Sequence, residues 1–149
     1  MTKIQTILNE KGNRICSIAP DATVREALKQ LNAYRIGVLM VVATNGTIEG
    51  LVSERDILRA LSNVTGDVRD IQVARIMTPK EKLLIVTPDD DINYAMNIMT
   101  ENRVRHLPIV ANGKLAGILS IGDVVKSQLE ATHSENKLLK DYISGKYIA

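Results

Sequence analysis

Gly50-Leu51-Val52-Ser53-Glu54-Arg55-Asp56-Ile57 and Gly117-Ile118-Leu119-Ser120-Ile121-Gly122-Asp123-Val124 are one phrase written twice: glycine, two apolar residues, serine, two variable positions, aspartate, one apolar residue. Working backwards from each, Pro20-Asp21 falls on Pro88-Asp89, Ala27 on Ala95, Arg35 on Arg103, Leu39 on Leu107 and Val42 on Val110, all 68 residues apart. Beyond Val42 the offset drops to 67, so the first copy carries one extra residue in its Thr44-Asn45-Gly46 turn. A hairpin turn is where a strand pair tolerates an insertion. A repeat at fixed period means that one supersecondary unit is used twice and stacked, which places function where the two meet.

Each copy reads as strand, helix, strand, strand, helix. Arg14 to Ala19 is a short β-rich run, and Val24, Ala27, Leu28 and Leu31 follow at the spacing of one apolar helix face, repeated by Ile92, Ala95, Met96 and Met99. Thr23 with Glu26 makes a capping-box start, and Asp91 holds the N-cap place in the second copy. Val38 to Ala43 and Leu107 to Val110 are apolar enough to be buried on both faces; Asn45-Gly46 and Asn112-Gly113 turn them into Ile48 to Val52 and Leu115 to Leu119. Ser53 and Ser120 then cap closing helices, expected over Glu54 to Ser62 and Ile121 to Ala131. The polar linker Asn63 to Lys82 holds Val73-Ala74-Arg75-Ile76-Met77-Thr78-Pro79, a helical turn expected to be ended by its proline. Ile4, Ile7 and Leu8, and at the other end Leu138, Leu139, Tyr142 and Ile143, predict terminal helices that pack on the body or on a second chain. The expected division is an N-terminal helix over 1–12, a first repeat over 13–63, a linker over 64–82, a second repeat over 83–132 and a C-terminal helix or tail over 133–149.

At 149 residues there is core for one domain, or for two half-units that share it. A net charge of +2 with 45% apolar residues gives no basic excess that points to nucleic acid or an anionic membrane, and no apolar run approaches the roughly 20 residues of a bilayer span. No secretory signal opens the chain, so the cytoplasm is the expected compartment. One cysteine forms no internal disulfide and no multi-cysteine metal site, and the lack of Trp and Phe removes the stacking platforms of single-stranded RNA recognition. Asp89-Asp90-Asp91 reads as helix capping rather than a cation site, because hard cations want ligands converging from several directions. Ser-His-Asp and Cys-His constellations, a phosphate-cradling Walker loop and metal-ligand spacings are all missing, so no enzyme activity is expected.

The doubled phrase, with Arg103-Val104-Arg105-His106-Leu107-Pro108-Ile109-Val110 before the last hairpin and Arg75-Ile76-Met77-Thr78 in the linker, resembles a tandem pair of cystathionine β-synthase (CBS) domains, the Bateman module, over about residues 1 to 145. Glu10-Lys11-Gly12, Ser120 to Lys126 and Asp141 to Gly145 are similar to a group of small stand-alone CBS-pair proteins. The resemblance implies an α/β (α+β) fold of two βαββα repeats related by a pseudo-twofold axis, flanked by terminal helices, and a homodimer. It implies two clefts for adenosine-containing ligands, AMP, ADP or ATP first, with NAD or S-adenosylmethionine as further candidates. The function it implies is a regulatory module that senses energy or redox state and alters a protein partner; a structural, dimerising module that binds no ligand is the alternative.

One carboxylate can accept from both ribose hydroxyls, which makes Asp56 and Asp123 the sugar-reading candidates. Ser53 and Ser120 begin helices, where free N–H groups and the dipole favour an anion. By analogy with the family, Ser120 and Asp123 face Cys16 and Ile36-Gly37, while the mirror cleft uses Ser53, Asp56, Thr78, Leu84, Val104 and Arg105. Arg55, Lys11, Arg105 and His106 are the candidate phosphate cations, and His133 reads as a surface residue. Against this stands a plain structural reading: Ser-x-x-Asp at a helix start is a capping box worth about 1 kcal/mol without any ligand, Cys16 a small buried hydrophobe, and the cations solvated charges. Copy one has Gly37-Val38 where copy two has Arg105-His106, and Glu54-Arg55 where copy two has Ile121-Gly122, so the clefts are expected to differ in charge and affinity.

Overall fold

The computed structural model describes residues 2–12 and 14–143. Helix α1 (Ile4–Lys11) leads into β1 (Ser17–Ile18), α2 (Val24–Tyr34), β2 (Val38–Val42), β3 (Ile48–Ser53) and α3 (Glu54–Asn63). Three 3₁₀ turns, Val68–Asp70, Val73–Arg75 and Lys80–Lys82, surround the short strand β4 (Thr78–Pro79). The second repeat follows with α4 (Ile92–Asn102), β5 (His106–Ala111), β6 (Lys114–Ser120) and α5 (Ile121–Ile143). One sheet has the order β1-β2-β3-β4 and the other pairs β5 with β6. The mixed α/β architecture with two sheets is the one expected.

The duplication extends to backbone detail that letters do not carry. Both α2 and α4 end on an arginine in the left-handed region, Arg35 and Arg103, each at φ 54°. Both β2–β3 and β5–β6 shift register at the same place, between Val41 and Val42 and between Ile109 and Val110. Glu54 N–H donates to Gly37 O at 3.0 Å, and Ile121 N–H donates to Arg105 O at 2.8 Å. The turns differ as the one-residue insertion requires. Asn112 and Gly113 both have positive φ, the two-residue hairpin geometry, whereas the longer first turn needs it only at Gly46, φ 88°.

The first strand of the second repeat is reduced to one parallel bridge, Val86 to Ile109, where the first repeat pairs Ser17-Ile18 with Met40-Val41. The cause is a proline. Met40 N–H donates to Cys16 O at 3.1 Å, and its counterpart Pro108 has no N–H to give Leu84.

Each repeat is completed by the segment that precedes the other. Ile4, Ile7 and Leu8 of α1 are buried with Val86, Ile92, Met99, Leu107 and Leu119 of the second repeat. Val68 and Val73 of the linker are buried with Val24, Leu31, Leu39 and Val52 of the first. The attachments match: Ile92 N–H donates to Thr2 O and Ile4 N–H to Asp90 O, while Val24 N–H donates to Ile71 O and Val73 N–H to Ala22 O. A third cluster, Val38, Met40 and Leu51 with Ile15, Leu83, Leu115 and Ile118, joins the two sheets.

Three expectations need correction. Pro79 does not end a helical turn; the turn stops at Arg75, and Pro79 lies in β4 opposite Gly50 on the sheet edge, where a missing N–H costs no ladder bond. The closing helix does not stop at Ala131, because nothing between Ala131 and Leu138 breaks a helix, so α5 runs unbroken to Ile143. The β-rich run Arg14 to Ala19 yields a two-residue strand. The side chains of Leu138, Leu139, Tyr142 and Ile143 and residues 144–149 lie outside the description.

Candidate functional site

Where β3 hands over to α3, Ser53 takes extended backbone and Asp56 occupies the third helical position, closing a full capping box. Ser53 N–H and its hydroxyl both donate to Asp56 Oδ2, at 2.9 and 3.0 Å. Thr78 Oγ1 donates to Asp56 Oδ1 at 3.3 Å, because β4 runs against Leu51 and carries Thr78 to the helix tip. The Asp56 side chain is 5% exposed, and its nearest cation, Arg59, stands 3.8 Å away with 64% of its side chain in solvent. The capping role expected of Ser-x-x-Asp is therefore real in both copies, since Ser120 N–H likewise donates to Asp123 Oδ2 at 2.9 Å and Asp123 N–H to Ser120 Oγ at 3.0 Å.

A cleft of about 470 Å³ opens between the repeats at the first of these tips. It brings together Ser53, Asp56, Arg55 and Thr78 with Leu84, Val104, Arg105 and His106, and Gly37 lies on the same wall. This size suits a small organic ligand. Sequence reading missed Arg59, Lys82 and Arg103, which also line it. Arg59 and Lys82 were open to discovery, Arg59 by its i, i+3 spacing from Asp56 and Lys82 by its neighbours Leu83 and Leu84. Arg59, Lys82 and Arg103 with Arg55 and Arg105 make five cations against Glu54 and Asp56. Arg55 Nη1 reaches across to donate to Arg103 O at 3.1 Å, tying the first repeat to the second over the cleft.

The second tip is furnished differently. Lys11 Nζ, at the end of α1, donates to Asp123 Oδ2 at 2.8 Å and to Ile118 O at 2.8 Å. Burial acts on the Asp123 carboxyl most strongly and raises it, but the hydrogen bonds from Lys11 and Ser120 and the charge of Lys11 together bring it below its ordinary value. Cys16 is half-buried and packs on the first repeat's core. Ile36 packs there too and borders a shallow hollow with Leu28, Asn32, Arg35, Gly37 and Glu54. Gly37 lies between the repeats: a Cβ there would stand 3.5 Å from Glu54 Oε1 and 3.7 Å from His106 Cε1. His106 is held below its ordinary value by burial first, then by the charges of Lys11 and Arg105, with Asp123 and Glu54 opposing.

Among the described residues no cluster of His, Cys, Asp or Glu is arranged to hold a metal ion, and no helix is long and apolar enough to cross a membrane.

Two repeats of this topology, each carrying a Ser-x-x-Asp helix tip, define a tandem CBS-domain protein. The CBS domain family model matches residues 13–63 and 68–130, and the chain belongs to that family. It is 33% identical over 152 residues to the mitochondrial CBS domain-containing protein CBSX3 of Arabidopsis thaliana, covering 98% of this chain and 74% of that one. A CBS-domain containing protein from Agrobacterium tumefaciens has a similar crystal structure, with a TM-score of 0.81 at 34% identity over 85% of this chain and 99% of that one. A CBS domain protein from Pyrobaculum aerophilum, solved in complex with AMP, aligns with a TM-score of 0.70 at 29% identity over 82% of this chain and 89% of that one.

Proposed function

We propose that this protein is a non-enzymatic sensor of adenine nucleotides, AMP or ATP before NAD or S-adenosylmethionine, that takes its ligand in the cleft at Ser53 and Asp56. The observation that carries this reading is the convergence of residues from both repeats on that one cleft. Asp56 would accept from the ribose hydroxyls, the aliphatic wall at Leu84 and Val104 would cover the adenine, and the cations would meet the phosphates. Five cations against two carboxylates favour an anionic nucleotide over the cationic S-adenosylmethionine. The AMP complex of the Pyrobaculum protein lends support. Because both repeats line the cleft, a ligand that prefers one spacing of the halves shifts that spacing and the surface offered to a partner protein. Homodimer formation and a cytoplasmic setting belong to the same proposal, and sedimentation as a monomer would remove the dimer from it.

Thermal denaturation in the presence of AMP, ATP, NAD and S-adenosylmethionine tests the reading. At a hundred times its dissociation constant a ligand adds about 2.7 kcal/mol, a rise in midpoint of roughly 5 to 10 °C for a chain of this size. A flat response to all four sinks it. The alternative, a structural and dimerising module, draws on the fact that Asp56 is almost fully buried and already engaged by Ser53 and Thr78.

A further inference from the structure

Among the described residues that line the cleft, His106 alone is of the type whose ordinary titration falls between about pH 5 and 8. The first repeat has Val38 at this place, buried and without charge. His106 opens β5 and pairs there with Ser120, so its half-buried ring stands close to both helix tips. Toward the first tip it forms part of the cleft wall together with Gly37 and Glu54. Gly37 leaves room beside it, since a Cβ there would stand 3.7 Å from His106 Cε1 and 3.5 Å from Glu54 Oε1. Toward the second tip lie Lys11 and Asp123, themselves joined at 2.8 Å. Four charged groups thus face the imidazole, one from each segment around it: Lys11 of α1, Glu54 of α3, Asp123 of α5 and Arg105 just ahead of β5.

We infer that the cleft takes up its anionic ligand together with one proton, carried by His106, so that affinity for the nucleotide rises as the medium becomes more acid. This rests on the adenylate reading above and adds its regulation by pH. In the empty cleft, burial and the charges of Lys11 and Arg105 disfavour the imidazolium, and Asp123 and Glu54 do not make up the difference. A phosphate monoester brings a charge of about −1.5 to −2 onto the same wall, and an opposite charge within about 4 to 6 Å favours the protonated ring. The proton comes from solvent and goes to a ring nitrogen; no other bond is made or broken. Coupling of this kind is reciprocal, so a ligand that favours the imidazolium is itself held more tightly where the imidazolium forms. The sign follows: the ligand raises the titration of His106 from its depressed value, so binding tightens as the pH falls through the ligand-bound value and gains nothing more below the empty one.

The test follows the imidazole Cε1–H signals of the full-length chain by proton NMR across about pH 5 to 8.5. The chain has two histidines, and His133, exposed on α5, serves as the internal reference; a His133→Gln variant assigns the pair. Without ligand, His106 should titrate below the ordinary 6.5. Saturating AMP should raise that midpoint by about one unit or more and leave the His133 signal where it was. Adenosine, which lacks the phosphate, should move neither. Calorimetric titration with AMP at about pH 8 and pH 6 gives the reciprocal readout: wild type should tighten by up to about tenfold more over this interval than His106→Gln does. The variant serves as the reference because the phosphate itself titrates near about pH 6. AMP that binds without moving the His106 midpoint, or an equal rise with saturating adenosine, would overturn the inference and leave the adenylate reading standing. No binding of AMP at any pH would overturn both.

Discussion

Ser53 gives Asp56 both its N–H and its hydroxyl on one carboxylate oxygen, at 2.9 and 3.0 Å, and receives the Asp56 N–H on its own oxygen at 3.2 Å. The same three-residue step closes a helix and aims a carboxylate, so structural and ligand-binding roles can be separated only by measuring both. Ser53→Ala should cost about 1 kcal/mol of folding free energy, and Asp56→Ala about 1 to 3 kcal/mol because it leaves the Ser53 N–H without an acceptor. In urea melts with and without AMP, the sensor reading requires that Asp56→Ala also abolish the nucleotide's stabilisation. An equal loss in both series favours the structural alternative.

Gly50 and Gly117 are matched glycines with unmatched tolerance. A Cβ on Gly50 would run into the Thr78 carbonyl oxygen, which is backbone and fixed by the sheet, and lie 2.9 Å from Met77 Sδ. On Gly117 it would meet Leu8 Cδ2 at 2.7 Å, the far end of a side chain that can turn. Gly50→Ala should therefore destabilise by about 2 to 3 kcal/mol and Gly117→Ala by about 1 kcal/mol, the two ends of the range for overpacking. Denaturant midpoints of the two variants check the order, and a reversed order would contradict this packing.

Acid stability should fall in two stages. His106 has its folded pKa below its ordinary 6.5, so the unfolded chain binds the proton more readily; stability is full above about pH 6.5 and declines as the pH drops toward the folded value. Asp123 sits below its ordinary 3.8, so its contribution is present above that pH and is lost as the pH falls through the folded value. His106→Gln should flatten the first stage and leave the second, and Asp123→Asn the converse. Melting midpoints from pH 8 to pH 3 resolve them, and an unaltered first stage in His106→Gln would assign that stage to another group.

Pro108 stands where Met40 stands in the first repeat, and Leu84 where Cys16 stands. Pro108→Ala restores the N–H that Met40 uses, so a bond to the Leu84 carbonyl should form and the second repeat's first strand should lengthen by one pair. Amide hydrogen exchange reads this directly: the residue 108 amide should be protected as the Met40 amide is. Fast exchange at residue 108 would show that the short bridge has another cause.

The doubled phrase carried most of the fold because it specifies strand, cap and helix in eight residues, and because the Asn-Gly turns located both hairpins. Of the residues expected at the first tip, Ser53, Asp56, Thr78, Leu84, Val104 and Arg105 all line one cleft. The correspondence of the segments that precede the repeats was harder to read, since Ile4, Ile7 and Leu8 share only apolar spacing with Val73, Ile76 and Met77, and α1 continues for three residues beyond Leu8. Lys11 was legible as a cation near the motif and not as a partner of Asp123, because 112 residues separate the two and only the exchange of those segments between the repeats brings them together.

That exchange also constrains how the chain can be divided. A cut in the linker between α3 and the Val68–Asp70 turn would part each globular half from the strip of chain that roofs it, with Val68 and Val73 leaving one half and α1 the other. The halves are interlaced like clasped hands, and neither carries its own roof, so a truncation that looks clean along the sequence would expose greasy surface on both pieces.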